Sequence, residues 1–173
     1  MYSTSFYISA RLLKKPQRDA IFSIYGFVRF ADEIVDTFHQ HNKNLLLNRF
    51  ESDLKDAIDK KISLNPILHA FQQTIHHYNI PYELIAAFLK SMRMDLEKKI
   101  YSNKDETDDY IHGSANVVGL MCLKVFTYEQ DENYEKLKMP AMKLASAFQK
   151  VNFLRDLQAD INHLHRLMLM YNL

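Results

Sequence analysis

Two acidic stretches decide the fold of this chain, FVRFADEIVDTF at residues 27–38 and FQKVNFLRDLQAD at residues 148–160. Each carries two aspartates four positions apart in otherwise apolar sequence, a spacing that puts both on one helix face. The pairs are Asp32 with Asp36 and Asp156 with Asp160. Ionised carboxylates beside apolar packing are costly unless compensated, and Mg²⁺ prefers such oxygen ligands and bridges to phosphates. The two stretches therefore predict two helices that share a magnesium site for a diphosphate.

Other polar side chains fall on the same helix faces as these aspartates. At about 100° per residue, Tyr25 and Arg29 lie within about 60° of the first pair, and Gln149 and Asn152 lie within about 80° of the second. Arginine suits a phosphate because its guanidinium offers two donors in a fixed fork. Arg155 lies off the second face, in reach of a phosphate or a neighbouring carboxylate. Each helix is therefore predicted to present a polar stripe to a diphosphate.

An acid pair at this spacing is also common on solvated helices and in surface salt bridges. The chain contains such a pair in SNKDETDDY, Asp105 with Asp109, which we assign to the surface. The other two pairs differ because their surroundings are apolar and because each shares its stripe with further polar residues. That combination favours a functional site over an ordinary helix surface.

Composition limits the class of protein. The 173 residues are predicted to form one domain (1–173), and 47% hydrophobic residues are enough for a sizeable core. With 3 Gly and 4 Pro, a turn-rich all-β protein is disfavoured. The net charge of +1 gives no basic footprint for nucleic acid. The single Cys122 excludes an internal disulfide, and no apolar run approaches the roughly 18 residues of a membrane span.

Hydrophobic periodicity and turn signals predict helices throughout the chain. Pro140 is expected to open the last helix, and the helix before it is expected to be loosened near Gly113. The predicted helices cover about residues 4–13, 17–38, 44–61, 65–78, 81–101, 107–128 and 140–163.

Five sequence blocks in this order resemble the phytoene and squalene synthase family. The blocks are SFYISARLL (5–13), IYGFVRFADEIVD (24–36), MRMDLEKKIY (92–101), ANVVGLMCL (115–123) and AFQKVNFLRDLQAD (147–160). The resemblance implies an all-α isoprenoid synthase bundle and the head-to-head condensation of two prenyl diphosphates. It also implies a Mg²⁺ cluster, with Mn²⁺ as an alternative, on the four aspartates of the two pairs.

The resemblance further implies roles for individual residues. Tyr25 and Arg29 join the four aspartates in the catalytic group, and further residues contact or line the bound substrate. These are Ser5, Phe6, Arg29, Asp95, His112, Gln149, Asn152 and Arg155. In YIHGSANVVG, His112 stands where many members have tyrosine, so it is either a proton donor or base or a polar residue that lines the cavity.

The leading expectation is conversion of geranylgeranyl diphosphate to phytoene. A squalene or dehydrosqualene synthase acting on farnesyl diphosphate is one alternative, with NADPH needed only for squalene. A non-catalytic helical assembly protein or inactive fragment of the same fold is the other. The resemblance implies more helices after Asp160, where this chain gives INHLHRLMLMYNL, so we expect a bundle incomplete at its C-terminus, with little synthase activity by itself.

The surroundings expected for the protein are those of a cytoplasmic enzyme. A complete chain is expected to be a monomer. The predicted partners are its prenyl diphosphate substrates, and contact with the inner membrane is expected to be peripheral at most.

Overall fold

The computed structural model describes residues 4–98, 100–101, 103–159 and 167–168, and the side chains of residues 6–98 and 103–153. Helices make up nearly all of the described part. They are α1 (Thr4–Ala10), α2 (Lys15–Asp36), α3 (Lys43–Lys60), α4 (Pro66–Tyr78), α5 (Tyr82–Glu97), α6 (Lys104–Ile111), α7 (Val117–Phe126) and α8 (Asp131–Ala159). A π-helical segment, His112–Asn116, joins α6 to α7. Two short strands, β1 (Ile100–Tyr101) and β2 (Leu167–Met168), pair in parallel. The predicted all-α architecture is confirmed.

Helix α2 organises the core, because its apolar stripe faces four other helices. It packs against α3, α4, α5 and α7. Phe27 on this stripe is fully buried, and its ring stacks on Phe71 of α4 at a centroid distance of 4.2 Å and on Phe50 of α3 at 5.5 Å. Burial of large apolar side chains like these supplies most of the stability of such a bundle. The packing also fixes where the opposite, polar stripe of α2 points.

Side-chain caps and left-handed residues set the helix ends that the sequence predicts. Asn42 Oδ1 accepts a hydrogen bond of 3.0 Å from the Leu45 amide at the start of α3, and Asn65 caps α4 in the same way. Lys61 (φ 55°) and Asn79 (φ 50°) close α3 and α4 in the left-handed region. Asparagine adopts this conformation more readily than most residues, which suits a helix end.

Helix α8 begins nine residues earlier than predicted, at Asp131, so the expectation that Pro140 opens it is wrong. Asp131 and Glu132 in the first turn favour a helix start because they lie at the positive end of the helix dipole. Pro140 sits inside the helix on its exposed side, where water can satisfy the backbone carbonyl that loses its donor.

The polar stretch between the helices predicted at 81–101 and 107–128 is partly helical, because α6 already starts at Lys104. Asn103 Oδ1 accepts a 2.8 Å hydrogen bond from the Glu106 amide and so caps this helix. Asp105 and Asp109 both lie exposed on α6, as the surface assignment predicts. Lys90 Nζ donates to Asp109 Oδ2 at 3.0 Å, an exposed ion pair that contributes little stability. Among the described residues, no helix is long and apolar enough to cross a bilayer.

The loosening predicted near Gly113 takes the form of the π-helical segment. Here the backbone of Gly113 lies against α5 so closely that a side chain would not fit. A Cβ added to Gly113 would lie 2.7 Å from the Cβ of Ser91 and 2.8 Å from the carbonyl oxygen of Ala87. Glycine is therefore required where the π-helical segment crosses α5.

Two glycine substitutions should change stability in opposite directions. We expect Gly113→Ala to lower the free energy of unfolding by about 1–3 kcal/mol, because the new methyl group overlaps Ser91 and Ala87. Gly26→Ala is the matched control: its Cβ would meet only Ile67 Cγ2 at 3.7 Å, and alanine in a helix interior gains up to about 1 kcal/mol. Urea denaturation of both variants measures the difference. Equal effects of the two substitutions would contradict the close crossing.

Candidate active site

The polar stripe of α2 forms the first half of the predicted site. Tyr25, Arg29, Asp32 and Asp36 are all partly buried, and they follow one face of the helix as the sequence predicts. The opposite stripe of the helix is held by the core around Phe27. The stripe is therefore fixed by packing on its far side.

Burial changes the acidity of Asp32. Its pKa is raised from an ordinary 3.8 to about 7, first by burial and then by the negative charge of Asp36. Asp95 and Glu33 raise the pKa further, while the positive charge of Arg29 lowers it. Carboxylates with such shifted pKa values cluster at functional sites, although structural ion networks produce them too.

Asp95 brings a third carboxylate to this place from another helix. It lies on α5, is only 9% exposed, and accepts a 2.8 Å hydrogen bond from the hydroxyl of Tyr110 on α6. The Tyr110 ring packs in turn near Phe153 of α8, with centroids 6.0 Å apart. We call Asp32, Asp36 and Asp95 the acidic cluster. The sequence pointed to Asp95 only through the family resemblance, since nothing local marks it.

Arg29 pairs with Glu33, a residue that the sequence analysis did not predict for the site. Its guanidinium forms an ion pair with Glu33, one turn along the helix. Glu33 also accepts a 2.5 Å hydrogen bond from Thr37 Oγ1, and the bonds from Thr37 and Arg29 lower the pKa of Glu33. The spacing of four between Arg29 and Glu33 was the available signal, since oppositely charged residues at that spacing pair on helices.

Helix α1 adds an aromatic wall to the same stripe. The ring of Phe6 stacks on Tyr25, with centroids 4.3 Å apart and planes 21° apart, and meets Phe22 edge-on at 5.9 Å. Phe6 and Tyr25, which are both predicted site residues, are thus in contact. The backbone of Ser5 lies in α1, while its side chain lies outside the described part.

A groove runs along the outside of α2, between this helix and α4. One section of about 250 Å³ is lined by Tyr25, Gly26, Arg29, Phe30, Glu33 and Ile67. A second section of about 380 Å³ shares Gly26 and Ile67 and extends to Asp19 and Phe22. The groove therefore connects the Arg29–Glu33 ion pair to the aromatic residues beside α1.

The second predicted half of the site is described only in part. Gln149 and Asn152 are partly buried on α8. Arg155 and Asp156 belong to α8 by their backbone, but their side chains lie outside the described part, and so does all of Asp160. The convergence of the two aspartate pairs across one cavity therefore stays a prediction. Within the described residues, no three His, Cys, Asp or Glu side chains are arranged as a metal ligand set.

The π-helical segment ties α8 to the rest of the bundle. Ser146 Oγ on α8 donates a 2.7 Å hydrogen bond to Oδ1 of the buried Asn116. His112, expected beside the substrate, is exposed in the described structure. Asn116 is thus a buried polar residue of this segment, and the role expected for His112 stays a prediction.

The acidic cluster should make stability depend on pH. Between about pH 4 and 7 the unfolded chain ionises Asp32 while the folded chain retains the proton, so the folded state loses stability as the pH rises and the loss levels off above about 7. Without metal, Asp32→Asn should therefore raise the free energy of unfolding, with a ceiling of about 4 kcal/mol above pH 7 and little gain near pH 4.

Thermal melts in the presence of a chelator, from pH 4 to 8, measure this gain. Asp59→Asn is the matched control, because Asp59 is an exposed aspartate of α3 and its substitution removes the same charge. A loss of stability on Asp32→Asn at pH 8 would show instead that Asp32 is part of a stabilising salt bridge.

Comparison with known proteins identifies the family of this chain. The family model described as Squalene/phytoene synthase matches residues 1–169. A chloroplastic phytoene synthase from an Oncidium hybrid cultivar is 31% identical over 162 residues, which is 92% of this chain and 39% of that protein. The presqualene diphosphate synthase of Rhodopseudomonas palustris is 28% identical over 159 residues, 91% of this chain and 55% of that protein.

Solved structures share the fold. Squalene synthase HpnC from Alicyclobacillus acidocaldarius superposes with a TM-score of 0.82 at 24% identity, over 96% of this chain and 61% of that one. A dehydrosqualene synthase in complex with ligand gives 0.83 at 26% identity, over 97% of this chain and 56% of that one.

This chain spans 39% of the length of the first of these curated relatives and 55% of the second. The family model nevertheless matches it almost from end to end. The helical architecture agrees with that match. The chain belongs to the squalene/phytoene synthase family.

Proposed function

We propose that this chain contributes to the head-to-head condensation of two prenyl diphosphates, with loss of diphosphate. The observation that carries the proposal is the acidic cluster, in which burial and Asp36 raise the pKa of Asp32 to about 7. A cation bound between these carboxylates would relieve their mutual repulsion and offset the cost of burying the charge of Asp32. The family membership supports the same reading.

The donor set fits a hard divalent cation. Carboxylate oxygens are the ligands that Mg²⁺ prefers, with Mn²⁺ as an alternative, and Asp32 and Asp36 supply such oxygens from a helix that the core holds in place. In this proposal Asp32, Asp36, Asp156 and Asp160 would hold the cation. When bound, it neutralises the diphosphate and acts as a Lewis acid that assists the departure of this group.

The remaining side chains would bind and shield the substrate. Arg29 can exchange Glu33 for a diphosphate, since a guanidinium fork fits both partners. The stacked rings of Phe6 and Tyr25 exclude water from the reacting carbon, and their faces favour a passing cation. The Tyr110 hydroxyl donates to Asp95 and so fixes the position of this carboxyl group.

The proposed donor is geranylgeranyl diphosphate, with phytoene as the product, a choice supported by the similarity to phytoene synthases. Farnesyl diphosphate is the alternative donor, because a presqualene diphosphate synthase and a dehydrosqualene synthase are also similar to the chain. NADPH would take part only if the product were squalene. Mass spectrometry of the products formed from each donor with Mg²⁺ tests the reaction and the expectation that this chain has little activity by itself.

Ligand binding tests the proposal without requiring turnover. We expect a non-hydrolysable thio-analogue of geranylgeranyl diphosphate to raise the melting temperature only when Mg²⁺ is present, and more than the farnesyl analogue does. Asp32→Asn should abolish the Mg²⁺-dependent part of the shift, since it removes a metal ligand. Asp59→Asn, which changes an exposed aspartate, should leave the shift intact. A shift that is equal with and without Mg²⁺ would refute the metal site.

The same binding should depend on pH through Asp32. Because the carboxylate must be ionised to hold a metal, protonation below about pH 7 should weaken Mg²⁺-dependent binding by up to tenfold per pH unit, with a plateau above about pH 8. Titration of the analogue at fixed Mg²⁺ from pH 5.5 to 8.5 measures this slope. Affinity that is flat across the range would mean that Asp32 does not ligate the cation.

A further inference from the structure

The short helix α1 exposes apolar side chains on the face that points away from the bundle. On its inner side, Ala10 is buried and Phe6 packs against the core. On its outer side, Tyr7 is 53% exposed, Ile8 is 59% exposed, and Leu12 in the following turn is 87% exposed. A solvated helix face normally carries polar residues at these positions, so the outer face needs an explanation.

The sequence that contains these apolar side chains is rich in positive charge. The sequence from Phe6 to Arg18 contains four cations and no acid, although the whole chain has a net charge of only +1. Arg11 and Lys14 are exposed, and the Arg11 guanidinium lies 5.8 Å from the centre of the Tyr7 ring. Lys15 is paired with Asp19 at 2.6 Å, which neutralises one of the four.

We propose that this surface, the α1 patch of Tyr7, Ile8, Arg11, Leu12 and Lys14, docks on an anionic phospholipid bilayer. Apolar side chains flanked by Lys and Arg are the pattern of segments that lie in the membrane interface, with the apolar groups among the acyl chains and the cations at the phosphates. A second copy of the chain fits the patch poorly, because it would bring the cations of both copies together.

The position of the patch connects it to the candidate active site. The Tyr7 ring lies 5.9 Å from Phe22, which lines the groove that leads past Gly26 to Arg29. If the proposed function holds, docking places the entrance of this groove at the bilayer, where amphiphilic prenyl diphosphates reside. The docking itself depends on the patch alone and is testable without any prenyl substrate.

A tryptophan reporter gives the most direct test, because the chain contains no tryptophan. Leu12→Trp should shift its fluorescence to shorter wavelength when vesicles of phosphatidylcholine and phosphatidylglycerol are added, and much less with phosphatidylcholine alone. Leu64→Trp is the matched control, since Leu64 is fully exposed in the turn before α4, and its emission should stay unchanged. An unchanged Leu12→Trp spectrum in anionic vesicles would overturn the proposal.

Vesicle co-sedimentation then separates the contribution of the cations to membrane binding from that of the apolar side chains. Arg11→Glu with Lys14→Glu should weaken binding to anionic vesicles by at least about fivefold for each cation, and Ile8→Ser with Leu12→Ser should weaken it at least about tenfold. The control is Lys143→Glu with Leu144→Ser on α8, where Leu144 is 59% exposed beside an exposed lysine. Loss of binding in the α8 variant, with retention in the α1 variants, would overturn the proposal and assign the membrane contact to α8.

Circular dichroism of each variant excludes unfolding as the cause of lost binding. The thermal shift with the thio-analogue and Mg²⁺, measured on the same protein, tests the proposed function independently of membrane binding. Vesicle binding that persists without any ligand shift would refute the prenyl diphosphate site and leave the α1 patch standing. A ligand shift without vesicle binding would overturn the docking of the α1 patch and leave the prenyl diphosphate site standing.

Discussion

The burial of the Asp32 carboxylate next to Asp36 is the constraint on which the arrangement of the candidate site along α2 depends. Its ionised form is disfavoured by burial and by Asp36 and Asp95, and Arg29 offsets only part of this cost. Asp32 stays buried in this position because the other face of α2 is fixed by the core, where Phe27 stacks on Phe50 and Phe71. The packing of α2 thus holds Asp32 beside Asp36 and Asp95 although their negative charges repel one another.

The neighbours of the acidic cluster link it to several helices. Tyr110 carries the hydrogen bond to Asp95 and packs near Phe153, so α5, α6 and α8 meet behind Asp32. Arg29 faces Glu33 on the same helix, which gives the guanidinium an anionic partner in the absence of a diphosphate. Binding at this place would therefore require exchange of an existing ion pair, and such exchange favours multiply charged ligands over single carboxylates.

Local patterns predicted most of the helices and the first polar stripe, because helix periodicity and asparagine caps act over a few residues. The spacing of Asp32 and Asp36 fixed a shared face without any knowledge of the partner helices. Asp95 could not be found in this way, since its place beside Asp32 arises from the packing of α5 on α2. Pro140 misled the prediction because its exposed position inside α8 depends on where that helix starts.

The π-helical segment has a consequence for how this chain tolerates changes in length. A π turn closes its hydrogen bonds over five residues instead of four, so it accommodates one residue more than a regular helix at the same place. The flanking helices can keep their orientations, with Tyr110 toward α5 and Gly119 toward Ala145 of α8, while the backbone between them bulges against Ala87. A one-residue deletion in His112–Asn116 would remove the bulge while preserving both orientations, whereas deletion of Phe30 in α2 would turn Asp32 and Asp36 together by about 100° relative to Tyr25 and Arg29.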